Sequence, residues 1–200
     1  MALGRVVLAS NNAGKLRELS ALLAPLGLTL EPQAALGVPE ADEPHDTFLE
    51  NALAKARHAS RFTGLPALAD DSGLCVDALG GRPGVRSARW SAQGSDAANN
   101  AQLIADLAGC ADRAAHYYCV LVLLRAADDP QPVVADASWH GEVIDAPRGS
   151  GGFGYDPHFY LPGEGCTAAE LDAQRKNLLG HRGQALRLLV ERLRRERLVG

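Results

Sequence analysis

The sequence predicts an α/β fold built on a mixed sheet, and three observations predict it. Short apolar runs of β-strand character alternate with stretches whose apolar residues recur at helical spacing. The helical stretches open on residues that cap helices, Thr47 and Ser95 among them. Late in the chain, Tyr117 to Leu124 and Val133 to Val143 flank a turn at Asp128 to Pro130 and read as an antiparallel pair, which makes the sheet mixed.

Taken in order, Val6 to Ala9 form a buried strand, Ser10 to Gly14 a polar turn, and Leu16, Leu19, Leu22 and Leu23 the apolar stripe of a helix. A strand near Leu28 to Leu30 leads into a surface loop rich in Pro, Glu and Asp that runs to Asp46. Thr47 and Glu50 make a capping box, starting a helix through Phe48, Leu49, Leu53 and Ala56 that Gly64 and Pro66 stop. Leu65 to Ala69 reads as a buried strand ending at Asp70, Asp71, Ser72 and Gly73. The apolar pattern resumes from Leu74 to Leu79 and breaks at Gly80 to Gly84. Ser95 caps a helix over Asp96 to Leu107, and Tyr117 to Leu124 is the strongest strand. Gly149 to Asp156 is a glycine-rich loop, Thr167 and Glu170 form a second capping box, and Gly183 to Leu198 is an amphipathic helix whose Arg192, Arg194, Arg195 and Arg197 make a solvated face.

Composition bounds the function. With 200 residues, 46% hydrophobic and 22% charged, the chain has the profile of a single globular domain over 1–200. A net charge of -4 offers no broad attraction for a nucleic-acid polymer or an anionic lipid, and leaves open a small anion in a local pocket. No apolar run approaches the roughly 20 residues that span a bilayer, and Met1 to Arg5 lack a signal-peptide apolar region, so neither membrane nor export is expected. Cys75, Cys110, Cys119 and Cys166 lie too far apart for a zinc knuckle or redox pair and read as reduced thiols of a cytoplasmic protein. Of the 20 basic residues only Lys15, Lys55 and Lys176 are lysine; compact ammonium groups where arginine serves elsewhere mark candidate sites.

The chemistry-bearing segments follow from residue type and placement. Ser10, Asn11, Asn12, Ala13, Gly14 and Lys15, between strand and helix, can aim backbone N–H groups and a helix N-terminus at a phosphate, although the spacing is not that of a Walker A loop. Asp70 and Asp71 repel each other at the end of an apolar strand, a cost that a hard cation such as Mg²⁺ relieves; the bland alternative is a turn with two solvated aspartates. Glu40, Asp42 and Glu43 of the acidic loop offer a further metal ligand or simply a solvated loop. Glu50, Asn51 and Lys55 can share a helix face, although Glu50 has the capping box to complete. In the Gly149 to Asp156 loop, Phe153 and Tyr155 offer rings for stacking a base. Lys176, His181 and Arg182 stand just ahead of the last helix, where an arginine fork can donate to O6 and N7 of a 6-oxopurine.

Together and in this order, the stretches LASNNAGKLREL, TFLENALAKARHA, LPALADDSGLCVDALGGRPGVRSARW, GGFGYDPHFYLP and TAAEL through KNLLGHRGQAL resemble the inosine triphosphate and dITP/XTP pyrophosphatase family. The resemblance covers most of the chain. It implies an elongated two-lobed α/β fold around a mixed sheet with a cleft between the lobes, a homodimer, and Mg²⁺-dependent hydrolysis of noncanonical purine triphosphates such as ITP, dITP and XTP. The products are the monophosphate and pyrophosphate, a reaction that cleanses the nucleotide pool. By position it implies that Ser10 to Lys15 bind the triphosphate with help from Lys55, that Asp71 is proton acceptor and metal ligand, and that Ser72 contacts substrate. Phe153, Gly154, Tyr155 and Asp156 match a base-binding loop, and Lys176, His181 and Arg182 the remaining nucleotide contacts. All three lysines fall in these motifs.

The chain departs from the family at Asn11, where glycine is usual, and at Trp90, where tyrosine is frequent. It departs again after the acidic loop, so that Asp42 is the first choice of second metal ligand, with Glu43 and Glu40 as alternatives. Two other classes compete. A Maf-like pyrophosphatase carries a Ser-Pro-Arg-Arg pattern after its first strand, which this chain lacks, and a nucleotide-binding regulator without turnover has no use for paired aspartates.

Overall fold

The computed structural model describes residues 3–23 and 27–198, with Ala21 and Leu22 by backbone alone; the expected inward position of Leu22 therefore lies outside the described residues. Among the described residues seven strands form one sheet: β1 (Arg5–Ala9), β2 (Thr29–Pro32), β3 (Ala67–Val76), β4 (Ala114–Leu124), β5 (Val133–Val143), β6 (Phe159–Leu161) and β7 (Cys166–Thr167). Their order is β2-β1-β3-β4-β5-β6-β7. β1 lies parallel to both β2 and β3, and β6 is antiparallel to β5 and β7, so the sheet is mixed as the sequence predicts. Parallel neighbours need crossover connections, which α1 (Ala13–Leu23) and α2 (Phe48–Thr63) supply.

Local chemistry explains α2. Thr47 Oγ1 accepts the Glu50 N–H at 3.2 Å, the capping half of the expected box, and donates to Glu50 Oε2 at 2.6 Å, so that the carboxylate takes the hydroxyl and not the Thr47 N–H. Gly64 ends the helix at φ 70, its N–H returning to the Ser60 carbonyl. The inward stripe of Ala52, Ala56 and Ala59 is fully buried. The remaining helices are α3 (Asp96–Asp106), α4 (Ala173–Leu179) and α5 (His181–Arg195).

The chain divides into two compact units, Met1–Asp71 with Cys119–Ala137 and Arg182–Gly200, and Ser72–Tyr118 with Ser138–His181. The first has a core in which Val6, Leu8, Leu68, Leu121 and Leu123 of the sheet meet Leu19 and Leu23 of α1 and Leu186, Leu189 and Leu193 of α5. In the second, Leu74, Val76, Tyr117, Trp139 and Phe159 meet Leu103 and Leu107 around α3. Alternation along each strand sends one set of side chains into these cores.

Three elements differ from the sequence reading. Asp70 to Gly73 are not a strand end: β3 runs unbroken from Ala67 to Val76 because the aspartates find cationic partners and the backbone has no reason to turn out to water. The second capping box forms only half of its bonds. Glu170 Oε2 accepts the Thr167 N–H at 2.7 Å, but the Thr167 hydroxyl donates to the Arg148 carbonyl, and α4 starts later, capped by Asp172. α5 begins at His181, so His181 and Arg182 form its first turn and do not precede it.

Candidate active site

The parallel register pairs Ala9 with Ala69. It brings the turn after β1 alongside the two aspartates that follow in β3, at the C-terminal end of parallel strands, where α/β proteins gather their chemistry. In that turn the Ser10 Oγ accepts the Asn12 N–H at 3.2 Å, and Asn12 Oδ1 accepts the Lys15 N–H at 3.0 Å. Asn12 thus caps α1 and leaves the turn's shape to hydrogen bonds within it. Asn11 has no positive φ, so the backbone makes no demand for the glycine that is usual in the family. Gly14 and Lys15 lie in the first helical turn.

Neighbouring residues of a strand point to opposite faces, and this separates the fates of Asp70 and Asp71. Asp70, fully buried, takes Lys15 Nζ at 2.5 Å on Oδ1, and Arg182 Nε at 3.0 Å and the Cys119 thiol at 3.1 Å on Oδ2. Burial alone would raise its pKa, but Arg182 and Lys15 outweigh burial and hold the carboxyl well below the usual range. Arg182 also pairs with Glu18 of α1 and is buried. The guanidinium that the sequence reading assigns to a purine edge is paired with two carboxylates here, as a guanidinium this deep needs anionic partners.

Asp71 faces α2. Its Oδ1 accepts Lys55 Nζ at 2.8 Å, and the same ammonium donates to Glu43 Oε1 at 2.8 Å. Burial pushes the Asp71 carboxyl up, more than Lys55 and Lys15 pull it down, and Glu43 adds to the rise. Its Oδ2 is buried without a hydrogen-bond partner. That orphaned acceptor, on a carboxyl whose other oxygen is held, is suited to a proton or a cation. The acidic-loop carboxylate brought to this cluster is Glu43, while Asp42 is exposed. Glu50 stays with the Thr47 hydroxyl, and Asn51 bonds the His45 backbone through both ends of its amide. Among the described residues no three His, Cys, Asp or Glu side chains gather as a cation cage.

The second unit holds the glycine loop. Asp156 Oδ2 accepts the Phe153 N–H at 2.8 Å and Lys176 Nζ at 2.8 Å, and that ammonium stands 4.6 Å over the Phe153 ring. Gly152 sits at φ 73, and a Cβ there would lie 2.0 Å from Asp156 Oδ2; the glycine is required for the carboxylate to reach round the turn. Tyr155 is buried, and its hydroxyl donates to the Ser87 carbonyl at 2.8 Å. His181 stacks on Tyr117 at 4.7 Å and 10°, with Trp139 at 6.3 Å. Burial and Asp156 push the Tyr117 hydroxyl well above its ordinary range. Ser72, at the start of this unit, is half-buried in β3.

Each of the three lysines is therefore paired with an aspartate: Lys15 with Asp70, Lys55 with Asp71, Lys176 with Asp156. The sequence reading missed Glu18, Cys119, Tyr117 and Trp139. None has a local signature, since each enters through a partner distant in the chain. The excess of arginine over lysine was the one signal that pointed at all three ion pairs.

The model of the Ham1 family matches residues 6–192. A relative from Ralstonia nicotianae named dITP/XTP pyrophosphatase is 70% identical over 194 residues, covering 95% of this chain and 96% of that one. One of the same name from Bordetella pertussis is 65% identical over 196 residues, covering 96% and 92%. Among solved structures, a HAM1 protein from Coxiella burnetii matches with a TM-score of 0.90 and 46% identity over 96% of this chain and 100% of that one. The Staphylococcus aureus Ham1 protein gives 0.85 and 34% over 96% and 99%. Agreement in sequence along nearly the whole chain and in the path of the backbone places this protein in the Ham1 family.

Proposed function

We propose that the chain hydrolyses dITP, ITP and XTP to the monophosphate and pyrophosphate. The observation that carries the reading is the orphaned Oδ2 of Asp71, a buried carboxyl oxygen beside Lys55. Relatives named dITP/XTP pyrophosphatase at up to 70% identity support the substrate class.

In this reading the triphosphate binds at the N-terminus of α1 over Ser10 to Gly14, with Lys15 and Lys55 as its cations. Asp71 Oδ2 takes the proton of a water that attacks the α-phosphorus. The bond from that phosphorus to the bridging oxygen breaks, and pyrophosphate leaves with its charge on the two ammonium groups. Asp70 takes no proton: Lys15, Arg182 and Cys119 hold its oxygens, and its task is to hold Lys15 in place. Ser72 contacts the substrate beside Asp71. Phe153, with Gly154 and Asp156 holding it, supplies a stacking face for the purine, and Lys176 and His181 supply polar contacts. Arg182 acts as a brace for Asp70.

Two carboxylates joined through one lysine fit a magnesium ion, which is held by one or two carboxylates together with phosphate oxygens and water. Asp71 and Glu43 would hold it, Glu43 replacing Asp42 as the second ligand. When bound, Mg²⁺ neutralises phosphate charge. Family membership supports a homodimer, which light scattering sizes, and the free thiols suit a reducing compartment.

Pyrophosphate release from dITP, ITP, XTP, GTP and ATP, with Mg²⁺ titrated, is the test. Asp71→Asn should lower turnover by about 10²–10⁴-fold, and Glu43→Gln should weaken Mg²⁺ dependence more than Asp42→Asn. Near-normal turnover in Asp71→Asn overturns the mechanism, and equal hydrolysis of ATP and dITP overturns the base preference.

A further inference from the structure

Two residues that no motif singles out hold the loop that carries Phe153. Gly154, its neighbour, donates its N–H to Asp96 Oδ2 at 2.7 Å and accepts at its carbonyl from Asn100 Nδ2 at 2.9 Å. Both partners stand on α3, one turn apart, and Asn100 Nδ2 also donates to the Asp96 carbonyl at 2.8 Å. The bonds are not helix capping, because Ser95 caps α3 separately through the Ala98 N–H. Asn100 is 9% exposed, and its Oδ1 is buried with no hydrogen-bond partner. An unpaired buried carbonyl is unfavourable, so the residue's favourable polar contribution comes through its two N–H donors, one of which goes to the loop. Gly154 at φ 63 has no side chain to pack, and these backbone bonds are its tether.

We propose that Asp96 and Asn100 are positioning residues for base recognition, a two-point clamp on Gly154 that sets the height and tilt of the Phe153 ring. The inference rests on the reading of Phe153 as the stacking face for the purine. Neither clamp residue touches the substrate. Loosening the clamp blurs the geometry on which the base is stacked, while the phosphate chemistry at Asp71 proceeds as before. The loss then appears in KM and in the preference for dITP over ATP, and kcat is spared.

Steady-state pyrophosphate release by the full chain with dITP and ATP, paired with thermal melts, tests this. Asn100→Asp replaces both donors with a carboxylate facing two carbonyls, and Asp96→Ala removes the acceptor; each should raise KM for dITP about 3- to 10-fold, the worth of one hydrogen bond. Asp96→Asn keeps an acceptor and should restore KM. Phe153→Ala should also raise KM, and adding Asn100→Asp to it should raise KM no further. A fall in melting temperature or kcat with KM unmoved overturns the clamp, as does full additivity with Phe153→Ala. If Phe153→Ala itself leaves KM unmoved, the stacking reading fails first and takes the clamp with it. Should Asn100→Asp not fold, the comparison of Asp96→Ala with Asp96→Asn decides alone.

Discussion

Asp70 and Asp71 are adjacent, chemically identical and both buried, yet their acidities shift in opposite directions, which has consequences for stability against pH. Arg182 and Lys15 hold Asp70 below its ordinary value of 3.8 despite burial. The stability it contributes is therefore fully present above that value and is lost only as pH falls through the lower, folded one. Asp71 has the reverse sign. Burial raises it, so the folded protein binds its proton more tightly than the unfolded chain, and stability falls as pH climbs from 3.8 to the raised value. Asp71→Asn should then leave the denaturation midpoint at neutral pH unchanged or higher while lowering turnover. Asp70→Ala, which removes the carboxylate shared by the buried Arg182 and Lys15 and leaves Arg182 with Glu18, should cost about 3–5 kcal/mol. Urea melts of both variants at pH 7 check the pair, and a midpoint lowered more by Asp71→Asn than by Asp70→Ala contradicts the assignment.

At the scale of elements, the structure keeps what is encoded locally and revises what depends on distant partners. The Thr47 cap formed because its hydroxyl and the Glu50 N–H it accepts lie within one turn. The Thr167 and Glu170 box has the same pattern, but the hydroxyl found the Arg148 carbonyl, a partner 19 residues away in the chain. The strand break expected at Asp70 is absent for the same kind of reason, since cations from α1, α2 and α5 stabilise the charges inside β3. Glycine content marked the 149–156 loop correctly, but its use lies in close approach. Gly152→Ala would set a Cβ against Asp156 at an unfavourable φ, displacing the carboxylate from Lys176 and the Phe153 N–H. Its expected result is a raised KM for dITP with the helical circular dichroism unchanged.

For the molecule as a whole, each unit has its own apolar core, and the largest fully buried side chain of the second is Phe159. Phe159→Ala should lower the unfolding free energy by about 3–5 kcal/mol, read from a denaturant melt. Tyr117 and Trp139 stack on His181 in the same core, so tryptophan fluorescence should shift in that variant. The sequence by itself determined the α/β class, the order of the main elements, the Thr47 and Ser95 caps and the family. These are matters of periodicity, of short-range hydrogen bonding, and of motifs read along the chain. Only the tertiary structure decided that Asp70 is an anchor, that Arg182 braces it, that Glu43 and not Asp42 reaches Lys55, and that α3 holds Gly154. Each of these turns on which buried charge or amide meets which partner, and burial forces a pairing that residues far apart in sequence must supply.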